Sequence, residues 1–503
     1  MHRPLAMGID VGTGSVKAGL FLPGADSPAA YASQAYAQEP VPSRPTWAEV
    51  DTERWRTALL LAVDRLPAGL RAEVGSVGVT GLFPALIAMD SEGQALRPAI
   101  LYSDRRSTAE LEDLRARGLD RAIERVAGGE PTPGTTSALS YLWLSSNEPE
   151  VDVQARWFGH GTTWLGAWLT GQIAIDASNA SMTGLYDTRA GGWSDALMAE
   201  LAIDPARWPP IVGSGRPIGG LRPEVAGLLG LPVGTPVTLA GGDTACAAVG
   251  AGCADSGRCF LSSGTTDTLC LCLDGFRYDP RLFCAAHALP ELWLSMAPTM
   301  YTGGALDWCG RLLGTASEDP AELVLALAES LPAGGGGVVF LPYLMGERSP
   351  VRDPLAKGVL HGLGPATGPA EVARAVVDGG ALAIRTCLDA LRGTSEPPAH
   401  ITIVGRPASS AVLNRARAAA TGVPVVALEF EEATLLGAAA CGAQAAGLIS
   451  RTGELTEPYL RHTSRFEPDP QAAAAYERLL PLYTDLYAAL KERDLFARLP
   501  HPG

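Results

Sequence analysis

The sequence predicts an α/β fold in two related domains, from three observations. Apolar strand-like runs alternate with helix-like segments, and the strands end in glycine-rich turns. Two hairpin segments, DVGTGSVKAGLF and FLSSGTTDTLCL, have one design, either as a unit used twice or by coincidence. The chain has 503 residues, too many for one hydrophobic core and suited to two or three domains.

Taken in order, Leu5 to Val11 is a short buried strand carrying Asp10 near its end, Gly12-Thr13-Gly14 turns, and Ser15 to Leu22 returns. Thr52 to Leu66 has helical spacing. Gly75 to Thr80 is an apolar strand, followed by a loop and LIAMD, and Thr108 to Arg125 is charged and helical. Thr235 to Ala240 is a strand ending at Gly241-Gly242-Asp243, and Thr244 to Ala251 is a helix of small residues. The second hairpin, Arg258 to Leu273, places a domain boundary near Gly252.

Four glycines, Gly334 to Gly337, lead into the strand VVFLPYL and a polar loop, Gly346 to Asp353. Glu371 to Leu391 has helical periodicity, with Val372, Ala375, Val376, Leu382 and Ile384 available for burial. Ile401 to Val404 is a strand ending at Gly405, and Ala433 to Ala446 is a second helix of small residues. Ala472 to Leu499 is an amphipathic helical segment with a kink expected at Pro481.

The formal net charge of −15 repels a phosphate backbone, which argues against nucleic-acid binding but not against a small phosphorylated ligand held by backbone amides. The nine cysteines lack C-x-x-C spacing, so buried free thiols in a reducing cytoplasm are expected, with no zinc site. No signal-peptide core opens the chain and no apolar run is long enough for a bilayer, so the expected location is cytoplasmic, without a membrane partner.

Five turns carry the chemistry. In Asp10-Val11-Gly12-Thr13-Gly14-Ser15-Val16-Lys17, small residues let backbone amides approach phosphate oxygens, hydroxyls add donors, and Lys17 adds a cation. Asp10 could hold Mg²⁺ through water. A dinucleotide fingerprint would need glycine at position 17, and no Walker A sequence is present. In Gly241-Gly242-Asp243-Thr244 the aspartate either caps the following helix or accepts the proton of an attacking hydroxyl, and both roles are compatible. The turns at Ser262-Ser263-Gly264-Thr265-Thr266, Gly303-Gly304 and Gly405 to Ser410 offer amides and hydroxyls at further strand ends.

In this combination the chain resembles the FGGY family of carbohydrate kinases, of the actin/hexokinase/Hsp70 superfamily, from about residue 5 to 450. The resemblance is carried by GIDVGTGSVKAGLF, TWAEVDTERW, ILYSDRR, GLPVGTPVTLAGGDTACAAVGAG, FLSSGTTDTL, LPYLMGERSPVRDPLAKGVLHGL and EEATLLGAAACGAQAAG. It implies two ribonuclease H-like (actin-like ATPase) domains with the active site in the cleft between them. The implied division is 1–252 for sugar and base, 253–450 for nucleotide, and a helical extension, 451–503, packed on both.

It further implies ATP and Mg²⁺ as cofactors and Asp243 as catalytic base, with Asp10 taking part in Mg-ATP binding. Phosphates and nucleotide then fall to Gly12, Thr13, Gly14, Ser15, Lys17, Gly264, Thr265, Gly303, Gly304, Gly405, Arg406, Ala408 and Ser409. The substrate falls to Trp47, Thr80, Leu82, Phe83, Asp104, Asp243 and Thr244, and the metal to Asp10 and Asp243, largely through water. The expected partner is a small sugar or polyol, best a ketopentose such as xylulose; a different polyol, sugar acid or cyclitol, or a non-catalytic sensor, is the alternative. A homodimer stays open.

Two departures stand out. Arg406 and Pro407 replace glycines of the family's G-G-G-A-x-S adenosine block. Thr80-Gly81-Leu82-Phe83-Pro84-Ala85 stands where many xylulose kinases read S-G-Q-M-H-G, so hydrogen-bonding side chains are missing there.

Overall fold

Apolar runs on either side of a glycine turn close the first hairpin, β1 (Leu5–Val11) with β2 (Ser15–Phe21), and pair Asp10 with Lys17 across it. A computed structural model describes residues 4–38, 44–314, 319–393, 396–405, 409–461 and 463–499. The further strands are β3 (Ala30–Ala35), β4 (Val74–Gly81), β5 (Gly219–Gly220), β6 (Pro236–Gly242), β7 (Cys259–Ser263), β8 (Asp267–Leu273), β9 (Trp293–Pro298), β10 (Ile401–Val404), β11 (Val425–Leu428) and β12 (Thr463–Phe466). The helices that matter for the site are α1 (Thr52–Asp64), α2 (Ala177–Ser181), α3 (Asp243–Gly250), α4 (Gly304–Leu312), α5 (Pro369–Arg392), α6 (Ala411–Thr421), α7 (Ala433–Ala445) and α8 (Pro470–Glu492).

Two α/β units emerge, and they interleave along the chain. The first comprises Met1–Ser256, Cys272–Leu294 and Glu432–Arg461; the second comprises Gly257–Leu271, Ser295–Glu431 and His462–Gly503. The sequence boundaries at 252 and 450 mark single cuts, whereas by contact the chain crosses over and returns.

In the first unit a six-stranded sheet runs β5-β6-β4-β1-β2-β3, with β1, β4 and β6 parallel. On α1, Trp55, Ala58, Leu59, Ala62 and Val63 are buried, the spacing of one helical face, and they join Met7, Ile9, Val77 and Val79 in the core. Helix α7 lies backbone against backbone on β1, β4 and α3. A Cβ at Gly78 would stand 1.8 Å from the Ala438 carbonyl oxygen, and one at Gly437 1.9 Å from that of Cys246. The small residues of α3 and α7 thus permit an approach no larger side chain would allow.

In the second unit β9-β8-β7-β10-β11-β12 run side by side as six strands of a seven-stranded sheet, and β7 with β8 forms the chain's second hairpin. Helix α5 buries Ala375, Val376 and Leu382 in one core with Phe340 and with Tyr476 and Tyr483 of α8; Ile384 is buried too, and Val372 only partly. Pro481 lies inside α8.

Several boundaries differ from the sequence reading. Residues 108–125 form two helices, Thr108–Ala116 and Asp120–Ala127, because Gly118 takes a left-handed conformation (φ 71°) between them. Only Val339–Leu341 of VVFLPYL is strand, ended by Pro342. All nine cysteines are buried and none is in a disulfide. Among the described residues no helix is long and apolar enough to cross a membrane.

Candidate active site

Strand register sets the first half of the site. Asp10 on β1 stands beside Thr80 on β4, and Thr80 stands beside Gly241 on β6. Asp10 and Gly241 therefore sit two strand spacings apart, roughly 10 Å, at one end of the sheet. Gly242 is the N-cap of α3 and Asp243 its first residue, one position inside the cap the sequence suggests. Asp243 Oδ1 accepts the Thr244 N–H and, at 3.0 Å, the Thr244 hydroxyl; among the described residues no hydrogen bond reaches Oδ2. That oxygen is the one left to take a proton.

Burial raises both carboxyls. Asp10 is pushed up to about 7, with Lys17 pulling the other way and Asp243 and Glu432 adding to the rise. Asp243 is pushed up to about 6, opposed by its bonds from Thr244. Asp10 Oδ1 is buried with no partner among the described residues, which suits an oxygen meant for an aquated cation. Among the described residues no cluster of three ligating side chains could enclose a metal. The donor set therefore fits Mg²⁺ bound largely through its own water, and not a protein cage.

In the turn, Thr13 and Gly14 are exposed, and Gly12 and Ser15 are partly so. The Gly12 N–H donates to the Ser15 carbonyl at 2.9 Å, while the Gly12 and Thr13 carbonyls accept from the Tyr36 hydroxyl (2.6 Å) and Gln38. The turn is thereby held from outside. Lys17 Nζ lies 2.6 Å from Glu432 Oε2. Glu432 directly precedes α7, so the cation arrives already neutralised in part.

Three substrate-side expectations need correction. Thr80 is fully buried and donates to the Gly241 carbonyl at 2.8 Å, so its hydroxyl is spent inside the sheet. Leu82 is buried in the core of the first unit. Asp104 is buried with both oxygens engaged: Oδ1 accepts the Arg106 N–H and Nε, and Oδ2 accepts Arg106 Nη2 and the Ala48 N–H. It braces Arg106 against the face of Trp47, 3.6 Å from the ring centroid, and cannot meet a sugar hydroxyl. Trp47, Phe83 and Thr244 remain partly exposed, and the Phe83 ring lies against Gly242, where a Cβ would be 2.6 Å away.

The second unit supplies a separate constellation. A Cβ at Gly303 would sit 1.8 Å from the Gly264 carbonyl oxygen, and the Gly304 N–H donates to Thr265 O at 3.0 Å. Gly405 takes φ 98° and lies against the Ser263 carbonyl, so three turns foreseen in the sequence meet. Beside the first two is a cavity of about 340 Å³, with Thr265, Thr302, Asp307 and Arg417 among apolar walls from Leu306, Val376 and Leu413. Its floor is a buried brace: Arg417 pairs with Asp267 at 3.2 Å and donates to Ser263 Oγ at 2.7 Å. Ser409 is exposed just before Ser410, the N-cap of α6. Arg406, Pro407 and Ala408 lie outside the described residues.

Sequence reasoning missed Glu432, Asp267 and Arg417. Asp267 lies in the second hairpin and Arg417 in an alanine-rich stretch, and nothing local marks them as partners.

Comparison with known proteins follows the same two halves. A model of the FGGY family of carbohydrate kinases, N-terminal domain, matches residues 5–250, and one of the C-terminal domain matches residues 259–446. The chain is 32% identical over 492 residues to a xylulose kinase of Escherichia coli (strain K12), covering 96% of this chain and 99% of that one. A solved xylulose kinase from Brucella ovis superposes with a TM-score of 0.90 at 31% identity, over 97% of this chain and 99% of that one. A gluconate kinase from Lactobacillus acidophilus gives 0.89 at 26%, over 96% and 97%.

Proposed function

The chain belongs to the FGGY family of carbohydrate kinases, and from that premise we propose that it transfers the γ-phosphoryl group of ATP to a hydroxyl of a ketopentose, with xylulose first among them. The observation that carries the reading is the Asp243 carboxylate, with one oxygen tied to Thr244 and the other without a hydrogen bond among the described residues. Asp243 Oδ2 accepts the proton of the sugar hydroxyl as its oxygen bonds to the γ-phosphorus. The bond to the β–γ bridging oxygen breaks and ADP leaves. Within the first unit the Gly12–Ser15 turn and Lys17 are the candidate phosphate donors; within the second unit the candidates are Gly264, Thr265, Gly303 and Gly304. Mg²⁺, when bound, would be held through water by Asp10 and Asp243 and would neutralise charge on the phosphoryl oxygens.

Xylulose comes first because curated relatives aligned along nearly the whole chain are xylulose kinases. A second reading, a sugar acid or other polyol, is supported by the likeness to the solved gluconate kinase. An ADP-release assay over pentuloses, hexuloses, polyols, aldonates and cyclitols separates them. The highest kcat/KM should fall on D-xylulose, and an aldonate or polyol in that place would overturn the assignment.

A further inference from the structure

A chain of buried polar side chains lies behind Gly242, and no step above uses it. Its proton directions follow from one carboxylate. Asp176 can only accept: Oδ1 takes the Ser178 hydroxyl at 2.9 Å and Oδ2 takes Asn179 Nδ2 at 2.8 Å. With its amide turned to Asp176, Asn179 presents Oδ1 to His160 Nδ1 at 3.1 Å, so that nitrogen carries the proton. His160 Nε2 then accepts the Ser137 hydroxyl at 2.7 Å. Ser137, His160, Asp176, Ser178 and Asn179 are all buried.

The Ser178 proton is committed to Asp176, so its lone pairs face away and receive the Gly242 N–H at 2.7 Å. The other end of that same peptide group, the Gly241 carbonyl, is held by the Thr80 hydroxyl at 2.8 Å. One peptide plane is thus gripped on both sides by hydroxyls from two different elements, immediately before Asp243. Gly241 sits there at φ 137°, after a register shift between Leu239 and Gly241, in a conformation that a glycine pair would readily leave.

We propose that Ser178 and Thr80 are positioning residues for the phosphoryl-transfer step: together they clamp the Gly241–Gly242 peptide and so aim the Asp243 carboxylate. This rests on the reading of Asp243 as the base. N-capping of α2 explains why Asp176 bonds to Asn179, but not why Ser178 reaches across to β6. Misaiming a reacting group by about an ångström costs up to roughly 100-fold, so loss of either hydroxyl should act on turnover and leave ground-state binding alone.

The test is steady-state kinetics of Ser178→Ala, Thr80→Val and Asp243→Asn, and of Ser178→Ala combined with Asp243→Asn, with ATP and the best sugar of the panel. Each hydroxyl variant should lose roughly 10–100-fold in kcat, with both KM values within about two-fold. The double variant should be no slower than Asp243→Asn alone, because Ser178 acts only through that carboxylate. Ser178→Cys, with similar volume but a poor acceptor, takes the place of the alanine variant should that not fold. A hydroxyl variant with wild-type kcat beside an inactive Asp243→Asn overturns the clamp and leaves the base standing. Additive losses in the double variant also overturn it, as they indicate a general structural role. An active Asp243→Asn removes the base reading itself.

Discussion

Replacing Asp243 by asparagine changes almost no volume and removes one chemical capacity. Two hydrogen bonds from Thr244 converge on Oδ1. Asparagine keeps them only with its carbonyl oxygen there, which puts an NH₂ donor where Oδ2 stood. The variant then points a donor at the sugar hydroxyl it should deprotonate. Loss of a general base costs roughly 10²–10⁴-fold in rate, about 3–5 kcal/mol of barrier. The pH course adds a second signature. Burial raises Asp243 to about 6 and Asp10 to about 7, so the free protein takes up a proton at each as pH falls through that range. Log kcat/KM of the native enzyme, which reports groups of the free protein, should therefore fall with a slope approaching two at low pH, and that of the variant with a slope of one. Coupled ADP release from pH 5 to 9 measures both, the loss at saturating ATP and D-xylulose and the slopes with both substrates below their KM. A loss of less than a few-fold, or an unchanged slope, would refute the assignment.

Asp10→Asn should inactivate the enzyme and yet stabilise the free protein at pH 8. Asp10 binds its proton more tightly folded than unfolded, so its contribution is complete below about 4 and is lost as pH rises through about 7. The gain over native should be a few kcal/mol at most at pH 8 and smaller at pH 5, read from thermal melts at the two values. Lys17→Met should raise the KM for ATP several-fold with sugar KM unchanged; its pair with Glu432 is partly exposed, so stability should shift by less than about 1 kcal/mol in urea titrations. Gly78→Ala should abolish soluble expression, because its Cβ would meet the α7 backbone 1.8 Å from Ala438 O.

Strand ends were the legible part of this chain. Asp10 and Asp243 can be read from sequence because each follows an apolar run at a glycine turn, and local pattern fixes both features. Side-chain direction and distant partners are not local. Asp104 reads like a substrate ligand, but it turns inward because Arg106, two residues on, supplies a buried fork for both its oxygens. Thr80 and Leu82 belong to the segment expected to face a sugar, yet strand alternation and the loop after it bury one in the sheet and the other in the core. Glu432 meets Lys17 from 415 positions away, through a return of the chain that no periodicity announces. The break at Gly118 was missed because charged helical composition continues across it.

The return of α7 to the first unit also orders events in time. A ribosome finishes Ser256 long before it reaches Glu432, and at about 5–20 residues per second the interval is roughly 10–35 s. Through that interval the strands bearing Gly8 and Gly78 await the helix that will cover them. The first unit therefore cannot complete its fold until most of the second has been made, and a nascent polypeptide halted before residue 432 offers chaperones an open glycine-lined seam.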